Sequence, residues 1–376
     1  MIEPFKNMFN KKIIVAMGAH FQRAWPDFDC SGFTKMSTKG LKKLELKERS
    51  AQITEALCTF LPRDFEKAAS VMLSSLAEEN GGDVDDPVNA ESGISGWGVM
   101  PMVEYVGLQG LEHFDLSMSL FKEMTKRFTS EFGIRHFLLA EPRRTLSVLK
   151  KWAKDSNYHV RRLVSEGTRP RLPWAMQLPG FIDDPTPILA LLEILKDDKE
   201  EYVRRSVANN LNDIAKDHPD LVAEIAKRWM KDAEKNREKL VRHACRTLIK
   251  QGHQKTLKAL GYGTLRAELE TFDILTPSVN FGNELKFEIS LRSTSTRPQN
   301  LIIDYAIHHQ KANGTTTPKV FKCKTGILEP SSTLNVSRKH PLKKITTRVY
   351  YPGTHRIEIF VNGSSFGAKD FELIMP

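Results

Sequence analysis

Hydrophobic and polar positions follow two different rhythms along the chain. Between about Leu41 and about Leu260, apolar residues recur at every third or fourth position, which is typical of amphipathic helices. Clear examples are LELKERSAQITEALCTFL, DFEKAASVMLSSLAEE and HFDLSMSLFKEMTKRF. The polar segment from Asn80 to Gly93, NGGDVDDPVNAESG, predicts a loop.

After about Gly263 the apolar residues occupy every second position. The stretches with this alternation are LKFEISLRS, NLIIDYAIHH, PKVFKCK, TLNVSRK and HRIEIFVNG, and turn signals separate them. Several short antiparallel strands in about 110 residues predict an immunoglobulin-like β-sandwich, here without an intersheet disulfide because Cys323 is its only cysteine. We therefore predict a helical domain over residues 1–262 and a β-sandwich domain over residues 263–376.

An internal repeat subdivides the helical region. TLSVLKKWAKDSNYHVRRLVS, from Thr145, aligns without a gap with ILALLEILKDDKEEYVRRSVA, from Ile188, at an offset of 43 residues. A weaker third copy, KLVRHACRTLIK, places Val241 at the position of Val160 and Val203. A period of about 40 residues with two helices per unit predicts a HEAT-like repeat solenoid.

Each copy carries a basic pair directly after its central valine. Because the second helix of a HEAT unit usually lines the concave side, these pairs would form a ladder on one wall. The ladder consists of Arg161, Arg162, Arg204, Arg205, Arg242 and His243. Two interpretations stay open: the ladder contacts a polyanion, or its members pair with acids on neighbouring helices.

The overall charge favours a polyanionic partner. The chain of 376 residues has a formal net charge of +10 and a pI of about 9.3, which suits nucleic acid or an anionic membrane surface. No apolar run is long enough to predict a transmembrane helix. The N-terminal stretch predicts a helix of the mature protein rather than a signal peptide. The four cysteines lie far apart, so reduced thiols and a cytoplasmic location are expected.

The C-terminal domain carries more than half of the excess charge. From Thr271 onward there are 14 Lys and Arg residues but only 8 Asp and Glu residues. Basic and aromatic residues interleaved in this way predict a phosphate-contacting surface. Its predicted members are Lys339, His340, Lys343, Lys344, Arg348, Tyr350 and Tyr351. The alternative is a strand edge that lysines guard against aggregation.

Motifs for several common chemistries are missing. The sequence has no GxxxxGK[ST] loop, no GxSxG elbow, no HExxH motif and no cysteine–histidine spacing for a metal. These absences argue against nucleotide, metal and serine-hydrolase chemistry. We expect no metal and no organic cofactor.

Carboxylates and a tryptophan lie among the arginines. The candidates are Glu131 in TKRFTSEFGIRHFL, Arg162, Glu166 and Trp174 in VRRLVSEGTRPRLPW, and Asp213 in VRRSVANNLNDIAKDHP. A carboxylate near a sugar C1′ stabilises oxocarbenium-like charge, and a tryptophan face attracts a cation by about 0.5–2 kcal/mol. This combination suits removal of a positively charged alkylated base. The alternatives are structural ion pairs for the acids and a buried loop plug for Trp174.

These blocks resemble the bacterial AlkC-type DNA alkylation repair glycosylases, which are relatives of AlkD in the HEAT-like glycosylase superfamily. The resemblance covers nearly the whole chain and is most specific in SEGTRPRLPW. Further blocks are PFKNMFN, LELKERSAQI, LPRDF and YYPGTHRIEIFVNG. One departure is His136 in GIRHF, where the family pattern leads us to expect a proline or a similar residue.

The resemblance implies a monomeric, monofunctional DNA N-glycosylase of base excision repair. Its expected partner is double-stranded DNA that contains 3-methylcytosine or 3-methyladenine, removed without conventional base flipping. The implied catalytic cluster is Glu131, Asp213, Glu166, Trp174 and Arg162. The DNA-binding residues that we predict are Arg161, Arg169, Arg171, Arg204, Arg205, Arg242, His243, Lys339, Lys343, Lys344 and Arg348.

Two alternatives from other classes remain. A non-enzymatic DNA-binding HEAT-repeat scaffold would use the same arginines but would not need Glu131 or Asp213. A HEAT protein-interaction adaptor would show no salt-dependent affinity for DNA, whereas phosphate contacts weaken steeply with salt.

Overall fold

The computed structural model describes residues 4–79 and 92–375. The predicted loop from Asn80 to Gly93 therefore lies almost entirely outside the described residues. The chain divides into two compact units, Met1–Asp217 and His218–Pro376. Among the described residues, no helix is both long and apolar enough to cross a membrane.

Helices make up the first unit. They are α1 (Lys11–Ala24), α2 (Cys30–Thr38), α3 (Leu46–Phe60), α4 (Phe65–Ser75), α5 (Val99–Gln109), α6 (Phe114–Thr125), α7 (Ile134–Ala140), α8 (Pro142–Trp152), α9 (Tyr158–Gly167), α10 (Pro179–Asp183), α11 (Thr186–Leu195) and α12 (Glu201–Ile214). The predicted helical stretches are confirmed as α3, α4 and α6, and the N-terminal helix as α1. Side chains of Asn10, Asp64 and Asn157 accept hydrogen bonds from backbone N–H groups at the starts of α1, α4 and α9.

The sequence repeat corresponds to two helix pairs, α8–α9 and α11–α12. The aligned residues Val160 and Val203 are both fully buried. The first arginine of each basic pair donates to two carbonyl groups in the turn before its own helix. In both copies this arginine therefore ties a helix to the turn that precedes it.

The second unit begins with four helices and continues as strands. The helices are α13 (Pro219–Met230), α14 (Lys235–Ala244), α15 (Arg246–Lys250) and α16 (Gln254–Ala259). The change from helix to strand falls between Ala259 and Ala267, near the predicted boundary at 262/263. The division into two compact units, however, places these four helices in the same unit as the strands. The predicted domain boundary therefore stays a prediction.

Two sheets form the sandwich. The strands are β1 (Ala267–Ile274), β2 (Ser278–Asn280), β3 (Glu284–Ser293), β4 (Gln299–Gln310), β5 (Thr316–Leu328), β6 (Thr333–Pro341), β7 (Gly353–Val361) and β8 (Ser364–Ile374). One sheet has the order β1-β3-β6 and the other β2-β8-β7-β4-β5. All five predicted strands are present, as β3 to β7. Their alternate residues, such as Leu285, Phe287 and Ile289 of β3, form the core between the sheets.

A histidine cluster interrupts this apolar core. His340 is buried, packs its ring against Phe321, and is joined to the hydroxyl of Tyr305 by a hydrogen bond of 3.0 Å between Oη and Nδ1. His309 and His355 are buried beside it. The prediction that His340 belongs to an exposed phosphate-contacting surface is therefore wrong. The β alternation places its side chain inward, while Lys339 points outward.

Burial lowers the pKa of His340 to about 4. The folded state keeps this imidazole neutral between pH 6.5 and 4, whereas the unfolded state protonates it. The neutral histidine therefore contributes stability that is fully present above pH 6.5 and is lost as the pH falls towards 4.

Asp304 of β4 has the opposite effect on the pH dependence of stability, over nearly the same pH range. Burial raises the pKa of this carboxyl group to about 6, although Lys322 and Lys250 lower it in part. The folded state therefore takes up a proton near pH 6, while the unfolded state stays ionised down to about pH 4. Protonation of Asp304 stabilises the fold as the pH falls. The effect of His340 on stability therefore has to be measured as the difference between wild type and a variant that lacks this histidine.

We predict that His340→Phe becomes more stable relative to wild type as the pH is lowered from 6.5 to 4. The relative gain should reach about 3 kcal/mol, because the variant has no buried imidazole to protonate, and Asp304 contributes equally to both proteins. Urea unfolding of both proteins at half-unit pH steps measures this difference. A difference that stays constant over the range would contradict the assignment.

Candidate active site

The site is built where the two repeat copies meet. Helix α9 ends at Gly167, and Thr168 caps it by donating from Oγ1 to the carbonyl oxygen of Val164 at 2.8 Å. The chain then turns through the Arg169–Leu178 loop. Helix α12 packs against α9. It carries Ser206 and Asp213 on one face, because seven residues make two helical turns.

Glu166 and Arg169 form the centre of a buried charge network. Arg169 donates from Nη1 to Oε1 of Glu166 at 2.6 Å and from Nε to Oδ2 of Asp213 at 2.8 Å. Ser206 donates to the other oxygen of Glu166 at 2.6 Å. Lys216 reaches Oδ1 of Asp213 at 3.1 Å from the surface. The two repeat helices are therefore joined by charge-assisted hydrogen bonds as well as by apolar packing.

The network keeps Glu166 ionised. Burial alone would raise the pKa of Glu166, but the guanidinium groups of Arg162 and Arg169 and the hydroxyl of Ser206 hold that pKa below its usual range. Burial likewise opposes the charge of Arg162, yet Glu131 and Glu166 raise the pKa of that guanidinium group. At neutral pH Glu166 is therefore a carboxylate rather than a carboxylic acid.

Glu131 joins the network from the turn between α6 and α7. Its Oε2 accepts a hydrogen bond from Thr129 at 2.7 Å and a second one from Arg162. Arg162 also donates to Oγ1 of Thr129 at 3.0 Å, and its Nη2 lies 3.6 Å from Oε1 of Glu166. The guanidinium carbon lies 5.1 Å from the ring centroid of Tyr202. The ion-pair alternative for Glu131 thus describes this state of the protein, with Arg162 as the partner.

Arg135 supports the loop from behind. It is fully buried, and it donates to the carbonyl oxygens of Met176 at 2.8 Å, Gly167 at 3.0 Å and Arg169 at 2.8 Å. Burial lowers the pKa of its guanidinium group to about 10, against the opposing effect of carboxylates that include Glu131. The guanidinium group therefore fixes both ends of the loop that carries Trp174.

A cavity of about 240 Å³ opens at this network. The acidic side chains that line it are Glu131 and Glu166, and Arg169 lines it as well. Its aromatic lining comes from Trp97, Phe128, Phe132 and Trp174. Asp213 is not part of the lining and lies behind Arg169. The arrangement offers two acidic side chains and several aromatic faces to one ligand.

Trp174 is the exposed member of the site. About 55% of its surface is accessible, so it is not the buried loop plug that was the alternative. Its backbone has φ = 66°, a left-handed conformation that is rare for a large side chain. Such a conformation persists only where its surroundings hold it. Here Arg135 supplies that restraint through its hydrogen bond to the carbonyl oxygen of Met176, two residues after Trp174.

The predicted ladder contains arginines with different surroundings. Arg161 is buried and makes a two-pronged ion pair with Asp198, at 2.6 and 2.9 Å. Arg171, which was predicted to bind DNA but is not part of the ladder, pairs in the same way with Asp217 at 2.9 and 2.8 Å. Arg205 is largely exposed, with one distant bond to Glu201 at 3.4 Å. These contacts favour the ion-pair alternative for Arg161 and leave Arg205 accessible.

In the second unit, the predicted basic residues are mostly at the surface. Lys339, Lys343 and Lys344 are exposed, and Arg348 is half-buried. His243 is exposed on α14, and the neighbouring Arg242 bonds to Glu238 and to the hydroxyl of Tyr262. Tyr350 packs on Phe281 and His309. Whether these side chains bind DNA stays a prediction.

Sequence reasoning assigned no role to several members of the site: Trp97, Thr129, Arg135, Tyr202 and Ser206. For Ser206 a signal existed. The repeat alignment places it opposite the buried Leu163, so a hydroxyl group stands on a helix face that packing would make apolar. For Arg135 no signal distinguishes a buried arginine from an exposed one. Within residues 4–79 and 92–375, no group of three or more His, Cys, Asp or Glu residues is arranged to hold a metal ion.

We predict that Arg135→Met lowers the free energy of unfolding by about 3–5 kcal/mol, because it leaves nearby buried carboxylates uncompensated and three carbonyl groups without their donor. Arg205→Met is the matched control, since Arg205 is exposed and pairs at the surface with Glu201, and it should cost at most about 1 kcal/mol. Urea unfolding measures both. Equal stability of the two variants would rule out the supporting role.

Two family models and a curated relative match the chain. A family model described as DNA alkylation repair enzyme matches residues 125–250, and one described as the C-terminal Ig-like domain of uncharacterised protein YhaZ matches residues 268–375. The uncharacterized protein YhaZ of Bacillus subtilis (strain 168) is 33% identical over 370 residues, which cover 98% of this chain and 99% of YhaZ.

A solved structure matches the whole chain. It is Pseudomonas fluorescens alkylpurine DNA glycosylase AlkC bound to DNA that contains an abasic site analog, with a TM-score of 0.88 and 34% identity over 99% of this chain and 100% of that one. The fold is thus a helical N-terminal region followed by an Ig-like domain, as predicted. The chain belongs to the AlkC family of DNA alkylation repair enzymes.

Proposed function

We propose that this protein is a monofunctional DNA N-glycosylase that excises positively charged alkylated bases, 3-methylcytosine and 3-methyladenine, from double-stranded DNA. We further propose that its helices form a HEAT-like repeat solenoid, as the 43-residue repeat suggests. The observation that carries the proposal is the cavity in which the carboxylates of Glu131 and Glu166 lie among aromatic side chains. AlkC, a member of the same family, is an alkylpurine DNA glycosylase.

The charge of the network suits a cationic base. Three carboxylates, those of Glu131, Glu166 and Asp213, lie among three guanidinium groups, those of Arg135, Arg162 and Arg169, and Lys216 also pairs with Asp213. An added anion would meet unfavourable carboxylates at the cavity wall. A cationic base can instead take the place of one guanidinium group beside a carboxylate, and Arg162 is the least buried of the three.

The chemistry needs only water and a carboxylate. When the bond between C1′ and the base nitrogen breaks, both electrons go to the base, which leaves as a neutral molecule. The positive charge passes to the sugar as an oxocarbenium-like centre, which the carboxylate of Glu131 stabilises. Water then adds to C1′ and gives its proton to a carboxylate. The base is already a good leaving group, so no strong acid is required.

The cavity size supports a mechanism without conventional base flipping. Pockets that enclose a whole small ligand have volumes of roughly 300–1,000 Å³, and the cavity at Glu131 has about 240 Å³. A flipped nucleotide with its sugar would fill more than this space. We propose that the lesion stays close to the duplex and meets the exposed face of Trp174 there, through a cation–π contact.

Asp213 and Arg162 have roles of a different kind in this proposal. Asp213 reaches the cavity only through Arg169, so in this state it orients that guanidinium group and, through it, Glu166. Its direct contact with the sugar would require Arg169 to move. Arg162 would exchange its bond to Glu131 for a contact with the DNA backbone. The exposed residues Arg205, Lys339, Lys343 and Lys344 are the strongest candidates for phosphate contacts.

The test is single-turnover excision from duplex DNA that carries one 3-methylcytosine, with metal ions chelated. We predict that wild type leaves an alkali-labile abasic site. Glu131→Gln should lose at least tenfold in rate, and up to about a hundredfold, because the neutral amide no longer stabilises the sugar cation. Asp213→Asn should also be slower, through the lost restraint on Arg169.

Glu123→Gln is the matched control. Glu123 of helix α6 pairs with Arg127 and does not line the cavity. The excision rate of Glu123→Gln should therefore stay within about twofold of the wild-type rate. DNA affinity is measured on the same samples. Wild type that binds DNA without releasing a base from either methylated substrate would favour the non-enzymatic scaffold instead.

A further inference from the structure

A second cavity lies on the other side of Trp174. It has a volume of about 340 Å³. Met100, Phe132 and Trp174 line both this cavity and the one at Glu131. Residues that line two cavities lie between them, so the two spaces share one thin wall, and an exposed tryptophan on a strained loop is part of it.

The polar groups of the second cavity are few and specific. Glu104 accepts a hydrogen bond from Nε2 of His136 at 3.3 Å through Oε1, and its Oε2 makes no hydrogen bond within the described residues. Lys47 and the buried Ser50 lie on the opposite helix, α3. The remaining lining is apolar or aromatic, which is typical of sites for small planar molecules.

From this arrangement we infer that the second cavity is a binding site for the excised base after the glycosidic bond has broken. The inference rests on the proposed function. A methylated adenine or cytosine carries an exocyclic amino group that can donate to Oε2 of Glu104. It also carries ring nitrogen or carbonyl acceptors for Lys47. Its flat face suits the aromatic walls that Phe132 and Trp174 provide.

The chemistry of the cavity selects a free base over a nucleotide. The carboxylate of Glu104 repels a phosphate group, and Lys47, the cation in the lining, is exposed, so water screens its attraction for that group. The volume lies at the lower end of the range for small-ligand sites, so a base fits and a base with its sugar and phosphate does not.

The position of the cavity gives the binding site a role in the reaction sequence. In the proposed complex, DNA would cover the open side of the first cavity, so the base that leaves C1′ would need another exit. Movement of Trp174 would connect the two spaces. Capture behind the tryptophan would separate the base from the abasic sugar and keep it from blocking the water that attacks C1′.

The test measures binding of free 3-methyladenine to the DNA-free protein by equilibrium dialysis with radiolabelled base. Ala51 lines the cavity from α3 without contributing a polar group, so Ala51→Leu fills the space. Thr59→Leu adds bulk at an exposed position two turns further along the same helix and serves as the matched control. Glu104→Gln tests the hydrogen-bonding carboxylate. Adenosine monophosphate is the competing probe.

We expect the free base to bind wild type, Glu131→Gln and Thr59→Leu with affinities within about twofold of one another. Ala51→Leu and Glu104→Gln should each weaken binding by tenfold or more. Adenosine monophosphate should not displace the base. Thermal unfolding midpoints of all variants show whether a loss of binding reflects a loss of folding, and loss in the Glu104 variant with an unchanged midpoint supports the site.

Three results would overturn the inference: no binding of the free base to wild type, equal binding to Ala51→Leu and wild type, or displacement of the base by adenosine monophosphate. These results are independent of base excision. A protein that excises methylated bases but does not bind the free base keeps the proposed function and loses the second site. A protein that binds the free base but excises none keeps the site and loses the glycosylase assignment.

Discussion

Burial of ionised carboxylates is the constraint on which the rest of this site depends. An isolated carboxylate inside a protein is so costly that it takes up a proton instead, and only nearby cations keep it charged. Here Arg162 and Arg169 hold Glu166 ionised at the joint between two repeat copies, and the same two arginines pair with Glu131 and Asp213. A cation that displaced one of these guanidinium groups would meet the carboxylate that the guanidinium group leaves.

The fold supplies what this balance needs. Two helices in equivalent positions, α9 and α12, bring a glutamate, a serine and an aspartate together over about two turns, and Arg169 joins them from the loop that follows α9. That loop leaves Trp174 exposed, so apolar packing does not position this residue. Arg135 replaces that packing with three bonds to backbone carbonyls. Site geometry and loop geometry therefore depend on the same group of buried charges.

Periodicity predicted the helices and strands well, because amphipathic rhythm is a local property. The sequence also placed Glu131, Glu166, Asp213 and Arg162 in one cluster, through the family resemblance. It could not assign partners, since an ion pair between Arg162 and Glu131 joins residues 31 positions apart. It also misplaced His340, because the basic residues around β6 do not show which side chains of the strand point into the core.

The paired arginines show why a repeated motif does not imply a repeated role. The first members, Arg161 and Arg204, make the same contacts with the preceding turn in both copies, so their recurrence reflects helix–turn geometry. The second members differ: Arg162 meets two buried acids, whereas Arg205 is largely exposed. Only the first copy gives its second arginine buried glutamates, whereas the glutamate beside Arg205 is exposed, so the candidate site lies where the repeat is broken rather than where it is kept. The asymmetry of the repeat therefore marks the candidate site more sharply than its regularity does.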